Sequence, residues 1–368
     1  MTDLQKQVQV LIDRLVESGA ENGVQAAVYR RGELVVDAVA GIADPADGRP
    51  VTPDTLFYAA STVKGVTATV VHVLVERGVF DYDTRVADLW PEFGAHGKEN
   101  ATVRHVLTHS VGIPGLPADL TLERFCDWDA MCELIADLEP WWTPGEKVGY
   151  HAVTFGFILG EVVRRATGKR IAQVLAAEVA GPLGVADELY FGVPSSALSR
   201  VAQFEDDPAG AAMFASLPPD FPLFKSGPRS LFPNAELANR ADVRAADIPA
   251  WGTLTARAVA RMYAALLDEV DGVRLVTRDR LREISTLATT GNDEMTGGPA
   301  HYALGYTVGS IGAASAGPTV FGMVGIGGSA AYADTATGVS VAVTKNRFNP
   351  TEMNAYEQVY DLAVKALT

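Results

Sequence analysis

In the stretch YAASTVKGVT, Ser61 stands three residues before Lys64, and none of the other seven lysines has a serine at that distance. A serine hydroxyl becomes a nucleophile only when a base removes its proton. A lysine can be that base only when it is neutral or nearly so. Burial and nearby positive potential both lower a lysine pKa, and Val63, Val66 and the amide end of a helix would supply such a setting. The spacing also has a plain structural reading, with Ser61 as a helix cap and Lys64 solvated in the first turn. About one such pair is expected by chance at average residue usage, so the surroundings must decide.

Other hydrolytic arrangements are missing. No G-x-S-x-G elbow occurs, since Ser110 in THSVG and Ser329 in GGSAA each lack one glycine, which argues against an α/β-hydrolase. His105 and His109 lie four apart in HVLTH, but Val106 stands where a zinc helix needs its general-base glutamate, so both read as structural histidines. Neither a Walker loop nor a dinucleotide-binding G-x-G-x-x-G after a strand is present. Cys126 and Cys132 have no Cys/His cluster around them and read as inert packing thiols in a reducing cytoplasm.

Beyond the pair itself, the sequence resembles a known superfamily: serine β-lactamases of class C, penicillin-binding proteins and, above all, family VIII carboxylesterases. The resemblance rests on STVK preceded by LFYAAS, a helix ending in ERG, VRHVLTHSVGIPG, and WWTPGEKVGYHAVTFGFILGEVVRRATG. IPAWGTLTAR and GMVGIGGS follow in family order, so that the match runs from about residue 22 to residue 361. It implies that Ser61 is the nucleophile, that Lys64 accepts its proton, and that Tyr150 in GYHA is the family's tyrosine, relaying a proton to the departing alkoxide with the cationic lysine easing its ionisation. It further implies an oxyanion hole made by the backbone amides of Ser61 and Ile326. Met323, Val324 and Gly325 occupy the third motif and are taken as substrate-binding. His151 is carried with them, although its place beside Tyr150 reads more simply as structural support.

Two departures from the family pattern bear on substrate. Ala152 stands where β-lactamases have an asparagine that holds the substrate's side-chain amide, and Met323 replaces the lysine of Lys-Thr-Gly. Methionine offers no charge to a β-lactam carboxylate and makes that end of the pocket apolar. The implied activity is therefore hydrolysis of a neutral carboxylic ester through an acyl-enzyme. Acyl transfer, β-lactam or D-amino-acid amide hydrolysis, and a catalytically silent binding protein are the rivals. No cofactor or metal is implied.

The elements that must position these residues follow from hydrophobic period. Residues 24–41 alternate around Arg31-Gly32 as a β-hairpin, and VKGVTATVVHVLVER has helical spacing with Gly78 as its C-cap, which puts Ser61 at a helix N-terminus. Residues from about 80 to 290 read as helices broken by Pro/Gly loops. Strand periods return in YALGYTVGS and TVFGMVGIGGSAAYADTATGVSVAVTKN, before a closing helix. The expected fold is mixed α/β (α+β): residues 1–80 and 290–368 form an antiparallel sheet with flanking helices, and 81–289 form an inserted, mostly helical lobe, with the site between them. Residues 214–233, rich in Phe and Pro, read either as an acyl-pocket lining or as a covering that only packs.

The bulk properties fit this picture. With 368 residues, 48% hydrophobic and 20% charged, the chain can bury a large core. A formal net charge of −15 without a Lys/Arg cluster argues against a nucleic-acid partner. The N-terminal residues form an amphipathic helix rather than a signal peptide, and no apolar run is long enough to span a membrane. A cytoplasmic enzyme is expected, with homo-oligomerisation open.

Overall fold

The structure, a computed structural model, describes residues 3–218, 221–311, 314–349 and 354–367. Its frame is a seven-stranded sheet of β1 (Gly23–Arg30), β2 (Glu33–Asp44), β3 (Arg49–Pro50), β4 (Thr307–Val308), β5 (Val320–Val324), β6 (Ala330–Asp334) and β7 (Val339–Lys345). The strand order is β3-β2-β1-β7-β6-β5-β4 and every pairing is antiparallel, so both ends of the chain build one sheet. The β1–β2 turn places Arg31 and Gly32 at φ 48° and 85°, the left-handed pair that a tight hairpin requires.

Side-chain alternation divides the strands between two cores. Val24, Ala26 and Val28 of β1, with Val339, Val341 and Val343 of β7, pack under helices α1 (Asp3–Glu17) and α5 (Asn354–Leu367). Ala27, Tyr29 and Ala342 face the opposite way, into the larger core. Such double coverage explains why VSVAVTK in β7 is buried throughout, with Ser340 Oγ donating to the Ala260 carbonyl at 2.9 Å instead of meeting water.

Helix α2 (Val63–Glu76) runs through that larger core, and every residue from Val63 to Val75 is buried. A helix apolar all round is an interior helix, and this one carries Lys64 inside with it. Helix α3 (Thr154–Thr167) packs on it, Val103–Leu107 and Trp128–Asp137 pack on α3 in turn, and Leu122–Cys126 packs on Trp128–Asp137. Cys126 and Cys132 fall on separate helices, the second starting at Asp127, whose carboxylate accepts the Ala130 N–H at 3.0 Å.

Two further expectations are corrected. Helix α4 (Ala256–Leu267) lies within the span assigned to the helical lobe, yet it packs against β1, β6 and β7. The chain is thus back on the sheet well before residue 289. Residues 302–306, read as strand, instead make a turn at Gly305, whose φ of 82° lets the backbone press against Ala68 and Leu107.

Candidate active site

The nucleophile turn is built by strain and close contact. Ala60 has a φ of 43°, a conformation that costs a non-glycine residue about 1–2 kcal/mol and turns the chain from Phe57–Tyr58 into the 3₁₀ turn Ala60–Thr62 and then α2. Strand β5 ends against this turn. Ser329's carbonyl accepts both the Thr62 hydroxyl and the Gly325 N–H, each at 2.8 Å. A Cβ at position 325 would collide with the Ala59 carbonyl, so glycine is needed for strand and turn to meet. The tight turn closed by Gly328 N–H to Gly325 O at 2.9 Å then sets Ile326 beside Ser61 on the wall of a cleft of about 750 Å³.

Lys64 is wholly buried, and its Nζ donates to Ser61 Oγ at 2.8 Å. Burial alone lowers its pKa to about 7, with no acidic neighbour opposing the shift. Tyr150 stands beside the same pair: it shares the cleft wall with Ser61, and Lys64 Nζ lies 5.0 Å from its ring centre. Burial pushes the phenol above its ordinary range, and the neighbouring Ser61 hydroxyl only partly offsets this. Both shifts favour neutral groups. With a Lys64 pKa of about 7, amine and ammonium are both populated near neutrality, so the geometry offers an amine as proton acceptor and an intact phenol as proton donor or relay.

The loop carrying Tyr150 is clamped by His109. Its carbonyl accepts the Gly149 N–H at 2.9 Å and its Nδ1 accepts the His151 N–H at 3.1 Å, so the residues on both sides of Tyr150 are held by one residue. The His109 ring stands 4.9 Å from the Tyr150 ring, and its backbone φ is 56°. Helix Val103–Leu107 ends before His109, so His105 and His109 share no helical face, and no group of metal-ligating side chains occurs among the described residues. Tyr302 touches both rings, 4.7 Å from that of His109 and 6.4 Å from that of Tyr150 at an interplanar angle of 20°, its hydroxyl donating to Asp293 at 2.8 Å. That carboxylate also accepts the N–H groups of Met295 and Thr296.

Not every candidate meets the cleft. Ser61, Tyr150, Met323, Val324 and Ile326 line it, whereas Gly325 serves the contact with Ala59. His151 is not a substrate-binding residue. Its ring is fully buried behind the loop, Nε2 accepting the Ile113 N–H at 3.0 Å and Nδ1 meeting the Gly149 carbonyl at 2.6 Å. Adjacency in sequence to Tyr150 put it on the opposite side of the backbone. Residues 214–233 do both things: Leu223, Leu231 and Phe232 line the cleft, while Phe214, Phe221 and Phe224 pack edge to face on one another and on Phe232. Residues 219 and 220 of this stretch lie outside the described residues. Sequence reasoning missed Phe125, Trp251, Tyr302 and Asp293, and it read His109 as structural without its clamp on the Tyr150 loop. Only the THSVG and IPAWG segments had been marked as part of the pattern, without roles for these side chains.

The family model "Beta-lactamase" matches residues 8–365. The esterase/beta-lactamase LipL of Mycobacterium tuberculosis is 38% identical over 340 residues, covering 88% of this chain and 77% of LipL. Esterase EstB of Burkholderia gladioli is 33% identical over 202 residues, about half of each chain. Among solved structures, a family VIII carboxylesterase superposes with a TM-score of 0.90 at 32% identity, covering 100% of this chain and 98% of the other. EstA from Arthrobacter nitroguajacolicus Rue61a gives 0.86 at 26% identity, covering 100% and 99%. With the antiparallel sheet, the interior helix α2 and the Ser61–Lys64 pair at its start, these likenesses lead to one conclusion: the chain belongs to the beta-lactamase family and is a serine hydrolase.

Proposed function

We propose that the protein hydrolyses neutral carboxylic esters through an acyl-enzyme on Ser61. The observation that carries this is the 2.8 Å contact between a buried Lys64 and Ser61 on a cleft into which no lysine or arginine projects among the described lining residues. Lys64 takes the hydroxyl proton as Oγ bonds to the carbonyl carbon, and the oxyanion is held by the amides of Ser61 and Ile326. As the tetrahedral intermediate collapses, the bond from carbon to the alcohol oxygen breaks and that oxygen receives the proton through Tyr150. Water then repeats the sequence and releases the acid. LipL, EstB and the family VIII carboxylesterase are esterases by name, which supports the reading. A reducing, cytoplasmic setting goes with it, Cys126 and Cys132 being free. Among the described residues no helix is long and apolar enough to cross a membrane.

The test is a panel of p-nitrophenyl esters, amides and cephalosporins on the native chain and on Ser61→Ala. Turnover of esters, little turnover of cephalosporins, loss of at least about a thousandfold in kcat with the substitution, and stoichiometric labelling of Ser61 by a fluorophosphonate are expected. Cephalosporins cleaved as well as esters would overturn it in favour of a β-lactamase; no labelling and no turnover would favour a binding protein. A second reading, acyl transfer, draws support from the apolar lining, which disfavours water as acceptor. Product partitioning on adding an alcohol to the ester assay separates the two.

A further inference from the structure

The cleft has two unlike ends. One lies on the Tyr150 side, where Tyr302 stacks on that ring and the loop beginning at Asp293 supplies Thr296, Gly298, Pro299 and His301 as walls. The other lies on the side from which the chain enters the nucleophile turn. There the Ala59 N–H donates to the Gly252 carbonyl at 2.8 Å, which brings Trp251 to the cleft. Trp251 meets Phe125 at 4.8 Å, and Leu116, Leu223, Leu231 and Phe232 complete a wall of hydrocarbon. Ser226, the hydroxyl of this wall, already donates to the Leu223 carbonyl at 2.6 Å and asks nothing of a ligand.

Ester geometry assigns the two ends. The carbonyl oxygen belongs with the amides of Ser61 and Ile326, and the leaving oxygen must lie by Tyr150 to receive its proton. The alcohol portion therefore extends toward Tyr302 and the polar walls, and the acyl chain is left with the Trp251 end. We infer that this apolar end, roofed by residues 221–233, is an acyl site that selects medium-chain acyl groups esterified to small alcohols. The whole cleft, about 750 Å³, has room for an ester of this size, and the hydrocarbon lining of the Trp251 end is what assigns the chain to that end. The inference rests on the ester-hydrolase reading.

Its test compares methyl nonanoate with its isomer octyl acetate, which carry the same atoms on opposite sides of the ester. The expected result is a kcat/KM at least about tenfold higher for methyl nonanoate, with kcat/KM across methyl esters rising about two- to fourfold for each methylene until the site is full. Preference for octyl acetate, or a flat series, overturns the inference. Leu231→Trp should lower the nonanoate-to-acetate ratio about tenfold by filling the wall. Leu223→Trp, at a half-buried position, carries the same test if the first variant does not fold. An unchanged ratio in a folded variant counts against it. Calorimetric titration of Ser61→Ala with decan-2-one and butanone separates the two claims. Tight decan-2-one binding without any ester turnover would sink the ester reading and leave an apolar site. Ester turnover with equal binding of the two ketones would sink the acyl site alone.

Discussion

At the floor of the cleft a buried amine sits on a serine between two strained residues, Ala60 and His109, while the roof, residues 221–233, is held together by phenylalanine rings. Hydrogen bonds at the floor are short and directional, and each fixes a specific atom: Thr62 and Gly325 on the Ser329 carbonyl, Gly149 and His151 on His109. The roof uses edge-to-face contacts and the Arg229 guanidinium, 3.9 Å above the Phe224 ring. The difference teaches a division of labour. Reaction geometry needs ångström-level placement, which hydrogen bonds and strained backbone supply. Recognition of an alkyl chain needs only area and shape, which a wall of rings supplies.

Substitutions can test whether the two regions are really separable. Lys64→Met removes the proton acceptor and should lower kcat by about a thousandfold or more. The same change should stabilise the fold. Lys64 has a folded pKa of about 7, below its unfolded value near 10.4, so from pH 7 to about 10 the unfolded chain holds the extra proton and native stability rises with pH. Below pH 7 the penalty is present in full. Chemical denaturation at pH 7 should show the methionine variant more stable by on the order of 3 kcal/mol, with the pH slope gone; a less stable variant contradicts the assignment.

Tyr150→Phe should cost about a hundredfold in kcat with little change in KM, since the phenol acts on the leaving oxygen rather than on binding. In the native enzyme kcat/KM should fall tenfold per pH unit below about 7, as Lys64 becomes an ammonium, with no fall from Tyr150 until above its ordinary range near 10. A pH-rate profile flat from 5 to 8 would remove Lys64 from the base role. His109→Asn keeps an acceptor and tolerates the left-handed backbone, and is expected to lower kcat about tenfold. His109→Ala, which loses the acceptor, should lower it further; equal effects of the two would make His109 merely a packing residue. The smallest effect should come from Phe224→Ala in the roof, which loosens the ring cluster yet leaves the midpoint of the pH profile in place. A moved midpoint there would show that roof and floor are coupled.

How much of this could be read from the sequence depended on whether a residue's type encodes its role. Arg31-Gly32 announces a hairpin because few pairs tolerate that turn, and Ser61 and Lys64 could be paired because the helical period brings residues three apart together. Strands at both ends of the chain gave the sheet. Ala60 and His109 gave no warning, since neither type favours a left-handed backbone strongly enough to mark it. The apolar stripe of α4 showed that the helix packs, but not that its neighbour is the sheet rather than the lobe. His151 failed for a related reason: consecutive residues on a loop can point to opposite sides, and only contacts with Ile113 and Gly149 decide which. The roof had no period to read, because rings that pack on one another do not repeat along the chain.

One property of Lys64 reaches past the catalytic step. Among the described residues no carboxylate pairs with Lys64, whose shift comes from burial, so its charged form has no ion-pair partner there. In the proposed ester hydrolysis the released acid would be an anion formed at Ser61, next to that nitrogen. In acidic solution the enzyme should therefore retain its own product, and the inhibition constant for the liberated carboxylate should tighten as pH drops below 7, whereas the liberated alcohol should inhibit equally at every pH.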